Sequence, residues 1–216
     1  LIKSTKKKIL EKIFPVKPPL YADKFLNKFL WHKPGNNNVY LTFDDGPTPI
    51  ITEKVLNILE KKQVKATFFC LGRNIDKNPQ IYNDIITKGH SVGNHTYSHL
   101  NGWKTKYKEY INDVDLASNQ IKSKLFRPPY GKIKPFQLLN LSKKYKIVMW
   151  DVLSGDFSKN IDKETCLNNV VNYASDGSII VFHDSIKASE NMLYALPLAI
   201  DNLKNKGYNF DVIYGE

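Results

Sequence analysis

Residues 39–48, Val39-Tyr-Leu-Thr-Phe-Asp-Asp-Gly-Pro-Thr48, run from an apolar segment straight into two adjacent carboxylates. The β-branched and aromatic residues of Val39–Phe43 predict a short strand. Gly46-Pro47 turns the chain directly after it. Neighbouring negative charges repel, and a buried carboxylate is costly unless it is paired or binds a metal. Adjacent strand residues face opposite ways, but the pleat ends here, so Asp44 and Asp45 can face one cavity.

Downstream, strand and helix signals alternate. Thr48 followed by Pro49 predicts an N-cap and a first helical position, with apolar Ile51, Val55, Ile58 and Leu59 at helical spacing through Gln63. Ala66–Leu71, His90–Asn94, Ile147–Val152, Ser178–Phe182 and Tyr208–Ile213 read as strands. Helices are predicted near Pro79–Thr87, over Tyr107–Leu125, from an Asp162 cap through Ala174, and over Ser189–Lys206. Gly89 and Gly207 mark two of the helix ends. This alternation implies βαβ units and a mainly parallel sheet, a small or incomplete barrel, with an open doubly wound sheet as the alternative. Either architecture places chemistry at the C-terminal ends of the strands.

The chain has 216 residues, 42% apolar and 25% charged, within the range of one globular domain. Residues 1–36 stand apart, being Lys-rich with Pro15, Pro18, Pro19 and Pro34, and are expected as a basic N-terminal extension packing on the barrel. Ile2, Ile9, Leu10, Ile13 and Phe14 can form a short amphipathic helix there, packed on the core or touching an anionic surface. The N-terminal stretch LIKSTKKKILEKIF has no apolar core of a signal peptide, and no run of apolar residues is long enough for a transmembrane helix. Lys+Arg 32 against Asp+Glu 21 gives a net charge of +11. The lysines are scattered and no nucleic-acid motif is present, so a solvated surface is the simpler reading and no nucleic-acid partner is expected. Cys70 and Cys166 lack metal-type spacing and read as two buried thiols.

Polar clusters sit where strands end. His95-Thr-Tyr-Ser-His99 places two imidazoles four residues apart, on one face if the segment turns helically. Two histidines plus a carboxylate from another strand end give three ligands and leave a fourth position for water, as in a catalytic zinc-type site. His95 also lies in an Asn-His-Thr glycosylation sequon, dismissed because a strand-end ligand is no place for a glycan. In Arg127-Pro-Pro-Tyr-Gly131 the prolines fix the backbone around an arginine able to hold a carboxylate bidentately. Trp150-Asp-Val-Leu-Ser-Gly-Asp-Phe157 carries Asp151 and Asp156, and His183 ends the buried run SIIVFHD.

In order and spacing, TFDDG, HTYSH, RPPYG, WDVLSGDF and VFHD resemble the five motifs of the polysaccharide deacetylase (NodB-homology) carbohydrate esterases over roughly residues 39–213. The resemblance implies a distorted (β/α) barrel of about seven parallel strands, with residues 37–216 as the catalytic domain. It implies metal-dependent removal of acetyl groups, N-acetyl before O-acetyl, from a glycan such as peptidoglycan or chitin. Alternatives are hydrolysis of a non-sugar amide, or a silent carbohydrate-binding protein. By the resemblance, Asp44 is the catalytic base, and Asp45, His95 and His99 hold one divalent metal ion, usually zinc, with cobalt or another ion as alternates. Arg127 orients the base, the Tyr130 backbone N–H meets the oxyanion, His183 is the general acid and Asp156 tunes it. Phe157 and Val181 fall in the acetyl pocket. Where the family often has Asp-x-x-Asp-Trp and a Leu before the acid histidine, this chain has Leu153, Phe157 and Val181, which reshape that pocket. An acetylated glycan is the expected partner, and the cell envelope or another extracytoplasmic site the expected location.

Overall fold

The computed structural model describes residues 28–215. The amphipathic helix expected over residues 2–14 lies outside them. The strands are β1 (Phe29–Leu30), β2 (Asn38–Asp44), β3 (Thr67–Cys70), β4 (Ser91–Asn94), β5 (Leu125–Phe126), β6 (Lys146–Val148), β7 (Val152–Leu153), β8 (Ile179–His183) and β9 (Asn209–Phe210). The helices are α1 (Ile51–Lys61), α2 (Gly72–Lys77), α3 (Pro79–Thr87), α4 (Tyr107–Ser118), α5 (Pro135–Leu141), α6 (Lys163–Tyr173) and α7 (Ser189–Asn205). The sheet order is β1-β6-β5-β4-β3-β2-β8-β7, with β9 beside the start of β2, and every paired strand is parallel.

The sheet curls. β6 lies next to one end of the order and β7 at the other, yet only residues 149–151 separate them in sequence. The seam is pinned where His32 bridges Ser178 and where Asp151 accepts bonds from the Ser178 hydroxyl (2.9 Å) and the Ile179 N–H (2.7 Å) and meets His32 Nδ1 at 3.1 Å. This is the distorted barrel the resemblance implied.

Period-two alternation sorts side chains between two cores. Val39, Leu41, Phe43, Phe68, Ile180 and Phe182 pack outward against helices, whereas Tyr40, Phe69, Leu125, Val148 and Ile179 form a second, inner cluster. Continuing the inner series in steps of two, four residues on from Tyr40 and Ile179 and two on from Leu125, reaches Asp44 on β2, His183 on β8 and Arg127 after β5. The strand ends therefore aim these polar groups into one opening.

Several expected boundaries move. Phe29–Leu30 form β1 within the stretch assigned to the extension, so the barrel begins before residue 37. The helix expected over Tyr107–Leu125 ends at Ser118, because Leu125–Phe126 pair with β4 and β6. The single strand expected over Ile147–Val152 is two strands with different neighbours. Thr48 is not an N-cap: α1 starts at Ile51, and Glu53 accepts the Ile50 N–H at 2.6 Å. Thr48 instead braces the turn, donating its N–H to Thr52 Oγ1 (2.7 Å) and accepting the Thr52 N–H (2.9 Å).

Candidate active site

Asp44 ends β2 and is buried. Arg127 reaches it from the end of β5: Nη1 donates to Asp44 Oδ1 at 2.7 Å and to Thr42 Oγ1 at 2.7 Å. Nε donates to the Val148 carbonyl (3.2 Å) and Nη2 to the Met149 carbonyl (2.8 Å). The guanidinium lies 4.1 Å from the Phe69 ring centroid. The bidentate grip expected of Arg127 is absent, because its other donors are taken by backbone oxygens. Asp44 Oδ2 remains on the open side, 4.0 Å from His95 Nε2.

Asp45, His95 and His99 converge beside it, with one potential ligand atom from each lying within 4.8 Å of the others. The helical turn expected for 95–99 is not there: Thr96 and His99 have φ of 70° and 62°. Asp113 holds the turn by accepting the Tyr97 and Ser98 N–H groups at 3.0 and 2.9 Å, and Thr96 Oγ1 accepts the His99 N–H at 2.9 Å. His95 Nδ1 donates to the Arg127 carbonyl at 2.7 Å, which turns Nε2 and its lone pair toward Asp45. Burial pulls His95 down to about 4, against the attraction of Asp44 and Asp45, so the ring is the neutral ligand form.

Asp45 Oδ1 is buried and outside any regular hydrogen bond, with His99 Nε2 3.1 Å away and His95 Nε2 3.8 Å away. Burial works to raise the Asp45 carboxyl, but the close His99 ring and the charges of His183 and His95 hold it well below the usual carboxylate range. An orphaned anionic oxygen facing two imidazole nitrogens is the donor set of a divalent transition metal. The residues present fit such an ion.

His183 stands beside Asp44 on the neighbouring strand, paired with it in register. Asp156 Oδ1 meets His183 Nδ1 at 2.8 Å, and Oδ2 accepts the His183 backbone N–H at 2.7 Å. Burial opposes the charged ring, yet Asp156 outweighs it and His183 is pushed up to about 9. The Phe157 ring packs edge-on against His183 at 5.0 Å. Val181 is buried one layer below, between Thr42 and Leu153. Tyr130 takes φ 60°, and its exposed ring rests on His99 at 4.6 Å. Asp151, from the same segment as Asp156, goes instead to the barrel seam.

A profile for polysaccharide deacetylases matches residues 32–150. The chain belongs to the polysaccharide deacetylase family. Two peptidoglycan-N-acetylglucosamine deacetylases of Bacillus cereus are 39% and 32% identical over 80% and 83% of this chain. The peptidoglycan-N-acetylmuramic acid deacetylase PdaC of Bacillus subtilis is 33% identical over 81%. The chain spans 65%, 88% and 38% of those relatives' lengths. Among solved structures, the Bc1960 peptidoglycan N-acetylglucosamine deacetylase superposes with a TM-score of 0.80 at 35% identity, covering 91% of this chain and 95% of that one. A mutant of the CE4 family pseudoenzyme BA3943 has a TM-score of 0.73 at 25% identity, covering 85% of this chain and 68% of that one. The matched deacetylase segment stops before Asp156 and His183, which the fold nonetheless brings to the same opening.

Sequence reasoning missed the supports of this site. Asp184 is buried behind the Asp44-Asp45 turn, accepting the Gly46 N–H (3.0 Å) and the Thr52 hydroxyl (2.5 Å). Burial pushes it up to about 7. Asn74 Nδ2 donates to the Asp45 carbonyl at 2.7 Å. Asn94, the sequon asparagine, is buried and ties β4 to α4 through the Val114 carbonyl at 3.0 Å. Asp184 was visible in VFHD as a carboxylate after a buried strand; the other two carried no signal.

Proposed function

We propose that this polysaccharide deacetylase removes N-acetyl groups from an amino-sugar glycan with the help of one divalent metal ion, zinc being the best fit to an Asp-His-His donor set. The observation that carries the reading is the division of two adjacent carboxylates: Asp45 faces two imidazoles while Asp44 is held by Arg127. Asp45, His95 and His99 hold the ion. When bound, it polarises the acetyl carbonyl and lowers the pKa of a water toward about 7.

Asp44 takes the proton of the attacking water through Oδ2, the oxygen Arg127 leaves exposed. Arg127 and Thr42 fix the angle of that carboxylate. The Tyr130 N–H assists the developing oxyanion. His183 is oriented by Asp156 through Nδ1, so Nε2 donates the proton that the departing amine needs. Phe157 sets the His183 ring and walls the acetyl site, and Val181 forms its floor. Peptidoglycan is the favoured substrate class because the relatives are named for it, which also favours a site of action in the cell envelope.

The silent-binder reading has one observation behind it, the shared fold of the BA3943 pseudoenzyme. Acetate release from metal-loaded protein on chitin oligomers, peptidoglycan and acetylxylan separates the two. Release from the N-acetylated glycans is expected. Glycan affinity without acetate release would leave the binder.

A further inference from the structure

Beside the metal-ligand turn, the loop after His99 carries a tryptophan outward. Trp103 is 60% exposed and Tyr130 58%, large values for aromatic rings on a folded surface. Neither belongs to a loose segment. Trp103 Nε1 donates to the Ile133 carbonyl at 3.3 Å, and its N–H donates to Asn101 Oδ1 at 3.0 Å. Gln137 Nε2 donates to the Gly102 carbonyl at 3.1 Å. A Cβ at Gly102 would sit 2.3 Å from the Lys132 carbonyl oxygen, so only glycine lets the two segments approach this closely. The indole is thus clamped to the segment that presents Tyr130, whose ring lies on the metal ligand His99. A fixed, exposed indole clamped to the segment that lays Tyr130 on His99 suits the apolar face of a pyranose ring.

The surroundings of this ring are cationic. Lys132 Nζ lies 5.3 Å from the indole centroid. Lys104 and Lys106 follow it closely in sequence, and Lys134 Nζ reaches the same loop, donating to the Thr105 carbonyl at 2.9 Å. The lysine–carboxylate pairs among the described residues are Lys62–Asp201, Lys88–Glu60 and Lys144–Asp115, none of them here. An ammonium held over an exposed ring is weakly held, and a carboxylate nearby draws it into an ion pair.

We propose that Trp103 and Lys132 form a second sugar subsite for a pyranose carrying a carboxylate, on the same glycan chain whose acetyl group is presented to Asp44 and His183. This rests on the deacetylase reading for the identity of the chain, not for the subsite itself. The carboxylate is either a lactyl ether on the ring or the end of an attached stem peptide.

Calorimetric titration reads binding at the subsite, and acetate release is followed as a separate readout. The metal-loaded protein is titrated with three N-acetylated tetrasaccharides: neutral, lactyl-bearing, and lactyl-bearing with stem peptides. The expected result is tighter binding of a carboxylate-bearing chain by about ten-fold, an advantage that shrinks with added salt. Trp103→Ala weakens all three by about ten-fold and Trp103→Phe restores most of it. Lys132→Gln removes only the advantage. An advantage without stem peptides assigns the lactyl group; one that needs them assigns the peptide. If Trp103→Ala binds all three within about two-fold of wild type, or Lys132→Gln keeps the advantage, the subsite is wrong. Acetate measured in the same samples keeps the two readings apart. Binding without release removes the deacetylase reading alone; release with binding unchanged in both variants removes the subsite alone.

Discussion

Asp156 and His183 form the pair whose chemistry responds most to pH. The folded His183 value of about 9 lies above the ordinary histidine value of about 6.5. The ring therefore contributes stability that is present below about 6.5 and lost as pH rises through about 9. In its proposed role as general acid it would stay protonated across the neutral range, placing the alkaline limb of kcat/KM near its own titration. Asp156→Asn removes the charge that raises it, and the limb should move down toward about 6.5. A pH–rate profile checks this, and an unmoved limb would detach Asp156 from the acid. At this scale the sequence was most readable. Asp44, Asp45, His95, His99, Arg127, Asp156 and His183 all arrive at one opening. The grip of Arg127 was not readable, because its carbonyl partners Val148 and Met149 carry no side-chain signal.

Among elements, the turn after β2 is the most constrained. Gly46 packs so closely on Asp184 that an added Cβ would lie 2.0 Å from Oδ2. Asp184 is buried and tied to Thr52, so it cannot step aside. Gly46→Ala should cost about 1–3 kcal/mol, read as a lowered urea midpoint with unchanged slope. Acetate release should fall with it, since the same turn aims Asp44 and Asp45. A neutral substitution would mean that Asp184 is not a fixed support. Longer elements were legible from periodicity, as in α1, whose buried Thr52, Val55, Leu56 and Leu59 follow a helical repeat. The two-residue strands were not. β5 has no period to read, and β6 and β7 look like one apolar run because a change of partner leaves no mark on the sequence. His95 and His99 show the same limit. Their spacing brings both rings to Asp45, but Asn94, which accepts the Thr96 N–H at 2.7 Å, and Asp113 build a turn where a helix was expected.

For the whole molecule, alternating strands and helices announced a parallel sheet and a small or incomplete barrel, with an open sheet as the alternative. Closure depends on His32, Asp151 and Ser178, far apart in sequence and joined only at the seam. The proposed ligand set draws on the turns after β2 and β4, so an ion there would tie those elements together. It would bind the folded chain, and at a thousand-fold excess over Kd it should add about 4 kcal/mol of stability. Thermal unfolding with and without chelator reads this as a higher Tm for the metal-loaded protein; equal values would argue against a site at Asp45.

The division of labour between the two adjacent aspartates is tested most directly by measuring metal content and acetate release together in Asp44→Asn and Asp45→Asn. Asp44→Asn should keep its metal and lose at least about a hundred-fold in turnover. Asp45→Asn should lose both. An Asp44→Asn protein that deacetylates at the wild-type rate, or that loses its metal as Asp45→Asn does, would contradict the account.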